Sequence, residues 1–544
     1  MLNEPRPLPE SVDGILIGGG HNSLVTAAYL GKAGVRTLVL ESSDEIGGGV
    51  TTAEVTLPLF LHNLHAFFVR WTPDYRIWKD LDLDRYGLRS IHPEVQNGVP
   101  FGDDALVTYR DLGPSLDAIG RLSPSDAEAY ARLHEEFSEI VDRLEGPLRF
   151  GNPLPPDELE ERLARSPIGR RYLSLKSQSA LDVVREAFTS EPLRALIAFN
   201  VSVRGYLPNI DVPGTGYIVT LALPNSHDGR IIAGGSYQAA KALAAVVYDN
   251  GGRVVTGAEV ASIDVSNGKA TGVTLTDGRS VRASRFVASS VPAPMTMLDL
   301  VGRSHLDQSL ADDLAGYAWN PEALFGVHYA LSRRPRFTAE GSVPDLPRAL
   351  NLAVGYESSA DIVRDMEAIR AKALSPIGAL HGSFPAVNDP SQAPPGFHTS
   401  FGWHFVPSSP DTEFASWDEA ATDERVKAIT DTYSHYAPDF EDCLIAVQPH
   451  TPADTADLVP SMRYGDRHHG SYHPDNWETF RPHPELAGYR TPIEGLYLCG
   501  ASQHPGGSFT GGPGYNAAGD ILSDLDGSPW WNPPDPRRVL EDLE

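Results

Sequence analysis

The chain of 544 residues carries 44 Lys and Arg against 72 Asp and Glu, a formal charge of −28 that opposes nucleic-acid and anionic-lipid partners. Its length allows two or three domains. The two cysteines, Cys443 and Cys499, are too few for a disulfide framework, which fits a reducing compartment. The opening MLNEPRPLPESVDG lacks the apolar core of a secretion signal, and no stretch offers the roughly 18 uninterrupted apolar residues of a membrane span. The expectation is a cytoplasmic protein without a transmembrane segment.

Residues 13–41 read as strand, turn, helix and strand: GILI, a glycine cluster, LVTAAYLGKAG and TLVLE. In this G-x-G-x-x-S variant of the dinucleotide loop, Gly18 allows the tight turn and Gly20 lets backbone approach a pyrophosphate. The helix that follows points its free N–H groups at that anion. Ser23 takes the place of the third glycine, where its hydroxyl is also able to meet a phosphate. Glu41 closes the second strand where a carboxylate holds an adenosine ribose, and there it would repel a 2′-phosphate. Next comes SSDEIGGGVTTAE, in which Gly47, Gly48 and Gly49 form a second glycine cluster. A plain NAD fold has no need of it, whereas the longer FAD must pass close to more backbone.

Residues 103–200 turn helical, and PSDAEAYARLHEEFSEIVDRLEG is expected to be capped through Ser125, Asp126 and Glu128. A helix over GGSYQAAKALAAVVYDNGG ends at Gly251 and Gly252. The strands VASIDVS, ATGVTLT and SVRASRFVA follow, separated by the turns NGK and DGR. Residues 305–490 mix strands and loops without a repeat. The last organised unit, GLYLCGASQHPGGSFTGGPGYNAAGDILSDL, reads as strand, glycine-rich loop and helix. Gly500 closes its strand, and Gly511, Gly512, Pro513 and Gly514 open its helix. The tail PWWNPPDPRRVLEDLE reads as irregular.

GGGHNSLVTAAYLGKAGVRTLVLE, DEIGGGVTTAE, the segment around Val260 and the C-terminal GLYLCGASQHPGGSFTGGPGYNAAGDIL resemble the phytoene desaturase-like flavoproteins. These are a branch of the glutathione-reductase-type FAD superfamily that includes soluble relatives of carotenoid desaturases. The resemblance implies an α/β fold, a Rossmann-like FAD-binding domain with an inserted mixed α+β substrate domain. It also implies FAD as cofactor, with the backbone of Val260 facing the adenine. The last helix, through Gly514, Tyr515 and Asn516, would meet the pyrimidine end of the flavin, where its positive end favours the reduced state. The FAD domain is then expected over 1–70, 226–305 and 485–530. The substrate domain is expected over 71–225 and 306–484, with a helical lid or flank at about 103–200.

Three histidines are catalytic candidates: His62 and His65 in LHNLHAFF, and His504 in SQHPGG, which can titrate near neutral pH or pin its loop. His468 and His469 are pocket candidates. H-x-x-H at 62–65 without an acidic or cysteine partner argues against a metal site. The expected chemistry is hydride removal from a C–H bond of a small to medium, soluble or moderately apolar organic substrate onto flavin N5. Oxygen, a quinone or another acceptor would reoxidise the flavin. A flavin-dependent double-bond isomerase and an FAD-fold escort protein are the alternatives. A homo-oligomer is compatible with the sequence.

Overall fold

The computed structural model describes residues 8–69, 72–408 and 417–544; Met1–Pro7 and Arg70, in the expected first segment, lie outside them. The first sheet is built on β1 (Ser11–Ile17), whose second half is wholly buried, as a parallel strand covered on both faces must be. Helix α1 (His21–Lys32) follows at once and is buried over nearly its whole length. It leads into β2 (Thr37–Leu40), which pairs in parallel with β1. After a long excursion the chain returns through α2 (Tyr237–Asp249) to β3 (Arg253–Val255), parallel to β2.

The strands β4 (Val260–Ser266), β5 (Lys269–Leu275) and β6 (Ser280–Ser289) form an antiparallel meander. Asn267 and Gly268 take the left-handed conformation that a tight hairpin demands, and Gly278 does so at the next turn. The far end of β6 pairs in parallel with both β1 and β7 (Leu496–Leu498). Helix α3 (Gly512–Asp524) then packs across α1. A Cβ on Gly514 would lie 2.2 Å from the carbonyl oxygen of Asn22, so only glycine permits this approach. Thr26 fastens the crossing by donating its hydroxyl to the Gly514 carbonyl.

The second sheet runs, in spatial order, Leu444–His450, Glu322–Leu331, His398–Pro407, Leu380–Ser383, Asn351–Val354, Val95–Phe101 and Asp104–Tyr109. Helices between 112 and 201 bury a large aliphatic and aromatic core beside it. This is the α/β architecture expected, a Rossmann-like sheet with a second mixed layer.

Two local readings require correction. The helix Pro124–Ile140 is capped by Ser123, whose hydroxyl accepts the Asp126 N–H, not by Ser125; proline occupies the first helical position, where its missing N–H costs nothing. The tail is not irregular throughout. It contains the short helix Pro536–Glu541, and the buried Trp531 meets Tyr29 edge-on at 4.7 Å and Tyr515 at 6.0 Å.

That packing gives a stability test. Trp531→Ala should cost about 3–5 kcal/mol and lower the thermal midpoint well below that of Trp530→Ala, since Trp530 is 38% exposed. Equal midpoints would show that the tail does not brace α1.

Candidate active site

One continuous cavity of about 1480 Å³ lies between the two sheets. Its first end is lined by Gly18, Gly20, His21, Glu41, Gly47, Gly48, Gly49 and Val260. Gly18 and Gly47 have φ of 90° and 113°, which only glycine adopts readily. Gly47 donates its N–H to the Gly19 carbonyl at 2.9 Å and bridges to Gly20, so the two glycine clusters are one structure. A Cβ on Gly20 would meet no protein atom within 4 Å. Gly20 caps α1 without any side-chain hydrogen bond, leaving the first N–H groups of the helix unclaimed.

Glu41, 8% exposed, accepts the Gly19 N–H at 2.5 Å and the Ser43 N–H at 2.8 Å. Further lone pairs stay available to a ligand at the cavity wall. An uncapped helix start, an open space over Gly20 and a carboxylate at the end of β2 fit the pyrophosphate and ribose of a dinucleotide. The opposite wall is Ala501, Pro505, Gly507, Ser508, Phe509, Thr510 and Gly512, ending at the N-terminus of α3.

Several expected site residues stand behind this lining. The Ser23 side chain is fully buried, 3.9 Å from the Cys499 sulfur, so it fills the contact between α1 and β7 instead of meeting a phosphate. A Cβ on Gly500 would lie 2.1 Å from the Ser290 carbonyl oxygen; the residue serves a backbone crossing, as Gly514 does. The Tyr515 ring packs against Tyr29 and Phe150. Asn516 donates its amide to the carbonyls of Arg149 and Gly151 and to the Tyr489 hydroxyl, which itself donates to the His504 carbonyl.

The histidines separate in the same way. His504 points away from the large cavity into a small one beside Leu148 and Trp477, with Nε2 at 3.3 Å from the Leu148 carbonyl oxygen. His62 is buried behind the wall, bonded to the Thr56 hydroxyl at 2.8 Å. His65 does line the cavity, as does His450, and their Nε2 atoms are 3.2 Å apart. Burial pushes His65 down to about 3 and lowers His450 as well, so this pair consists of neutral imidazoles. Among the described residues no three His, Cys, Asp or Glu side chains are grouped to hold a metal ion.

The second end of the cavity, unmarked by any motif, is lined by Phe67, Leu221, Leu324, Trp403, Phe405 and Trp477, with Arg204 and Arg467 among them. Two wide helical turns also reach it, Val141–Glu145 and Ser202–Tyr206, while a third, Met295–Gly302, packs against β4 at the Val260 end. Such turns carry one extra residue and re-aim side chains, and they gather at functional sites. Sequence periodicity carries no signal for them.

The geometry is that of a glutathione-reductase-type flavoprotein. A family model for the NAD(P)-binding Rossmann-like domain matches residues 16–82. Over 96% of both chains, the protein is 30% identical to a component polypeptide of the limonene dehydrogenase of Castellaniella defragrans. It is 26% identical to the lycopene-forming phytoene desaturase of a Paracoccus species, over 95% of this chain and 98% of that one. The solved cyclohexylamine oxidase of Brevibacterium oxydans shares the fold, with a TM-score of 0.57 and 18% identity over 95% of this chain and 100% of that one. The chain belongs to the phytoene desaturase-like family of FAD-dependent oxidoreductases. Its cofactor is FAD.

The buried histidines make a pH prediction. Burial takes His21 and His504 from 6.5 down to about 4, and His62, His381 and His469 down to about 3. Below the unfolded pKa the unfolded chain binds these protons and the folded one does not. Stability is therefore complete above about pH 6.5 and is lost as pH falls toward 4. Loss of net negative charge acts in the opposite sense. At high salt, which screens that charge, the thermal midpoint should fall between about pH 7 and pH 4; a flat or rising profile there would show that these imidazoles are not buried neutral.

Proposed function

We propose that this oxidoreductase removes hydride from a C–H bond of a small to medium, soluble or moderately apolar organic substrate held at the second end of the cavity. Gly18, Gly20 and the N-terminus of α1 would hold the pyrophosphate, Glu41 the ribose and the Val260 backbone the adenine. Gly507 to Gly512 and the N-terminus of α3 would seat the flavin ring. When bound, FAD supplies a two-electron acceptor, later reoxidised by oxygen, a quinone or another acceptor. The observation that carries this reading is the continuity of one cavity from Glu41 to the aromatic wall at Phe67 and Trp403.

The division of the chain supports the same reading. Every strand of the first sheet comes from 1–70, 226–305 or 485–530, the proposed FAD-binding segments. Every strand of the second comes from 71–225 or 306–484, the proposed substrate part, which the helices within about 103–200 flank. In a dehydrogenation the hydride carries the electron pair away and a proton must follow. His65 and His450 line the cavity wall as neutral imidazoles, which would offer hydrogen bonds to the substrate, and burial disfavours their holding that proton. His504 then serves as a positioning residue for the loop that begins beside it, and Asn516 and Tyr489 hold that loop from the other side.

Anaerobic mixing with candidate substrates should bleach the bound flavin; turnover of a substrate to an isomer without bleaching would favour the isomerase. His504→Ala should lower FAD occupancy or thermal stability while leaving the reduction rate of the loaded fraction near wild type. A fall of about 10²-fold or more in that rate, with a displaced pH profile, would return His504 to the chemistry.

A further inference from the structure

The oxidoreductase reading leaves the substrate class open, and the charge inside the cavity narrows it. In a chain of formal charge −28, four arginines surround the second end: Arg149, Arg204, Arg467 and Arg481. They face three buried carboxylates. Glu145 pairs with Arg149 at 3.4 Å, and Glu322 pairs with Arg467 at 2.6 Å. Asp466 accepts three backbone N–H groups and lies within the field of Arg481, whose two terminal nitrogens donate to the carbonyls of His468, Ser471 and Ala501 while its Nε has no partner. Arg204 donates to the Asn200 carbonyl, and among the described residues no carboxylate pairs with it. Of Arg149, Arg204 and Arg467, which line this end, only Arg204 has no carboxylate partner among the described residues.

We propose that Arg204 and Arg467 form an anion subsite at the second end of the cavity, and that the substrate carries a carboxylate on an otherwise apolar frame. Both residues line the cavity, and each keeps one guanidinium nitrogen buried without a hydrogen-bond partner. They belong to neighbouring pieces of backbone: a Cβ on Gly205 would lie 2.5 Å from the ring of His468, the residue after Arg467. The Arg467 guanidinium sits 5.7 Å over the Phe405 ring, and Leu324, Trp403 and Phe67 supply the apolar wall.

Burial raises the Glu322 carboxyl to about 7, so near neutral pH it offsets the Arg467 charge only in part. Asp74 and Asp142 also line the cavity, at its exposed rim, and so does Asp228, which is paired with Arg230 at 3.3 Å. A hydrocarbon would leave the Arg204 charge without a counter-ion, and a protonated amine would add a like charge; a carboxylate removes the imbalance and matches the guanidinium fork.

The proposal rests on the oxidoreductase reading, and the test separates the two. Octanoate and octylamine would be titrated into the FAD-loaded protein, with binding followed by perturbation of the flavin spectrum. Octanoate should bind saturably, and octylamine at the same concentrations should not. Arg204→Met and Arg467→Met should each weaken octanoate by about tenfold or more at unchanged FAD content. If either fails to fold, the corresponding Arg→Lys variant, which keeps the charge and loses the fork, should weaken octanoate to a smaller degree.

Equal binding of the two probes, or variants that bind octanoate like wild type, would overturn the subsite. So would variants that lose FAD while their loaded fraction binds octanoate normally, since the arginines would then serve the flavin. A wild-type protein without FAD would sink the oxidoreductase reading alone; calorimetric titration with octanoate would still decide the subsite.

Discussion

The nucleotide end of the cavity depends on a single carboxylate. Glu41 stands at the end of β2 and accepts backbone N–H groups from Gly19, across the loop, and from Ser43, just beyond itself. Those bonds tie the first glycine loop to the second strand. The loop in turn holds Gly47 through the Gly19 carbonyl, so the second glycine cluster inherits its position from the same bond. Charge-assisted bonds of this kind are among the stronger ones in a protein, roughly 1.5–3 kcal/mol each. A Cβ on Gly19 would lie 2.9 Å from the Cβ of Glu41, which explains why the middle glycine of the GGG run is needed as well as its neighbours.

Around that anchor the structure separates glycines that face the cavity from glycines that allow backbones to cross. Gly18, Gly20, Gly47, Gly48 and Gly49 line the cavity, whereas Gly500 and Gly514 let β7 and α3 approach Ser290 and Asn22. Both kinds look alike in a sequence, since each is a glycine beside a helix or strand end. That is why Gly500 and Gly514 read as ligand contacts when their task is packing. Ser23 makes the same point from the opposite side. It stands where a third glycine serves close packing, and its hydroxyl fills the space next to Cys499.

The parts of the fold legible in the sequence are those set by local chemistry. β1, α1 and β2 follow from apolar runs around a glycine turn, and the meander β4 to β6 from alternation between Asn-Gly and Asp-Gly turns. The second sheet could not be read, because its order joins residue 97 to residue 351 and residue 331 to residue 444, pairings that no local pattern encodes. The second end of the cavity was legible only in its histidines, since His65, His468 and His469, singled out in the sequence, do line the cavity. Arg204, Trp403 and the stretch holding His450 and Arg467 come from separate parts of the chain, and two wide helical turns bring their neighbours to the cavity. His504 sits in the expected loop, yet its ring turns the other way, a choice made by Leu148 and Trp477 from far earlier and slightly earlier in the chain.

The most direct test of the account is the affinity of the refolded or stripped apoprotein for FAD, measured by quenching of flavin fluorescence, in wild type and in Glu41→Ala. On the proposed reading, removing the carboxylate would take away the acceptor for the ribose and slacken the loop over the pyrophosphate. The dissociation constant should rise by about 10- to 100-fold in a variant whose circular dichroism matches wild type. An unchanged constant in that folded variant would contradict the central claim, because the nucleotide would then be held without the carboxylate on which this end of the cavity is built.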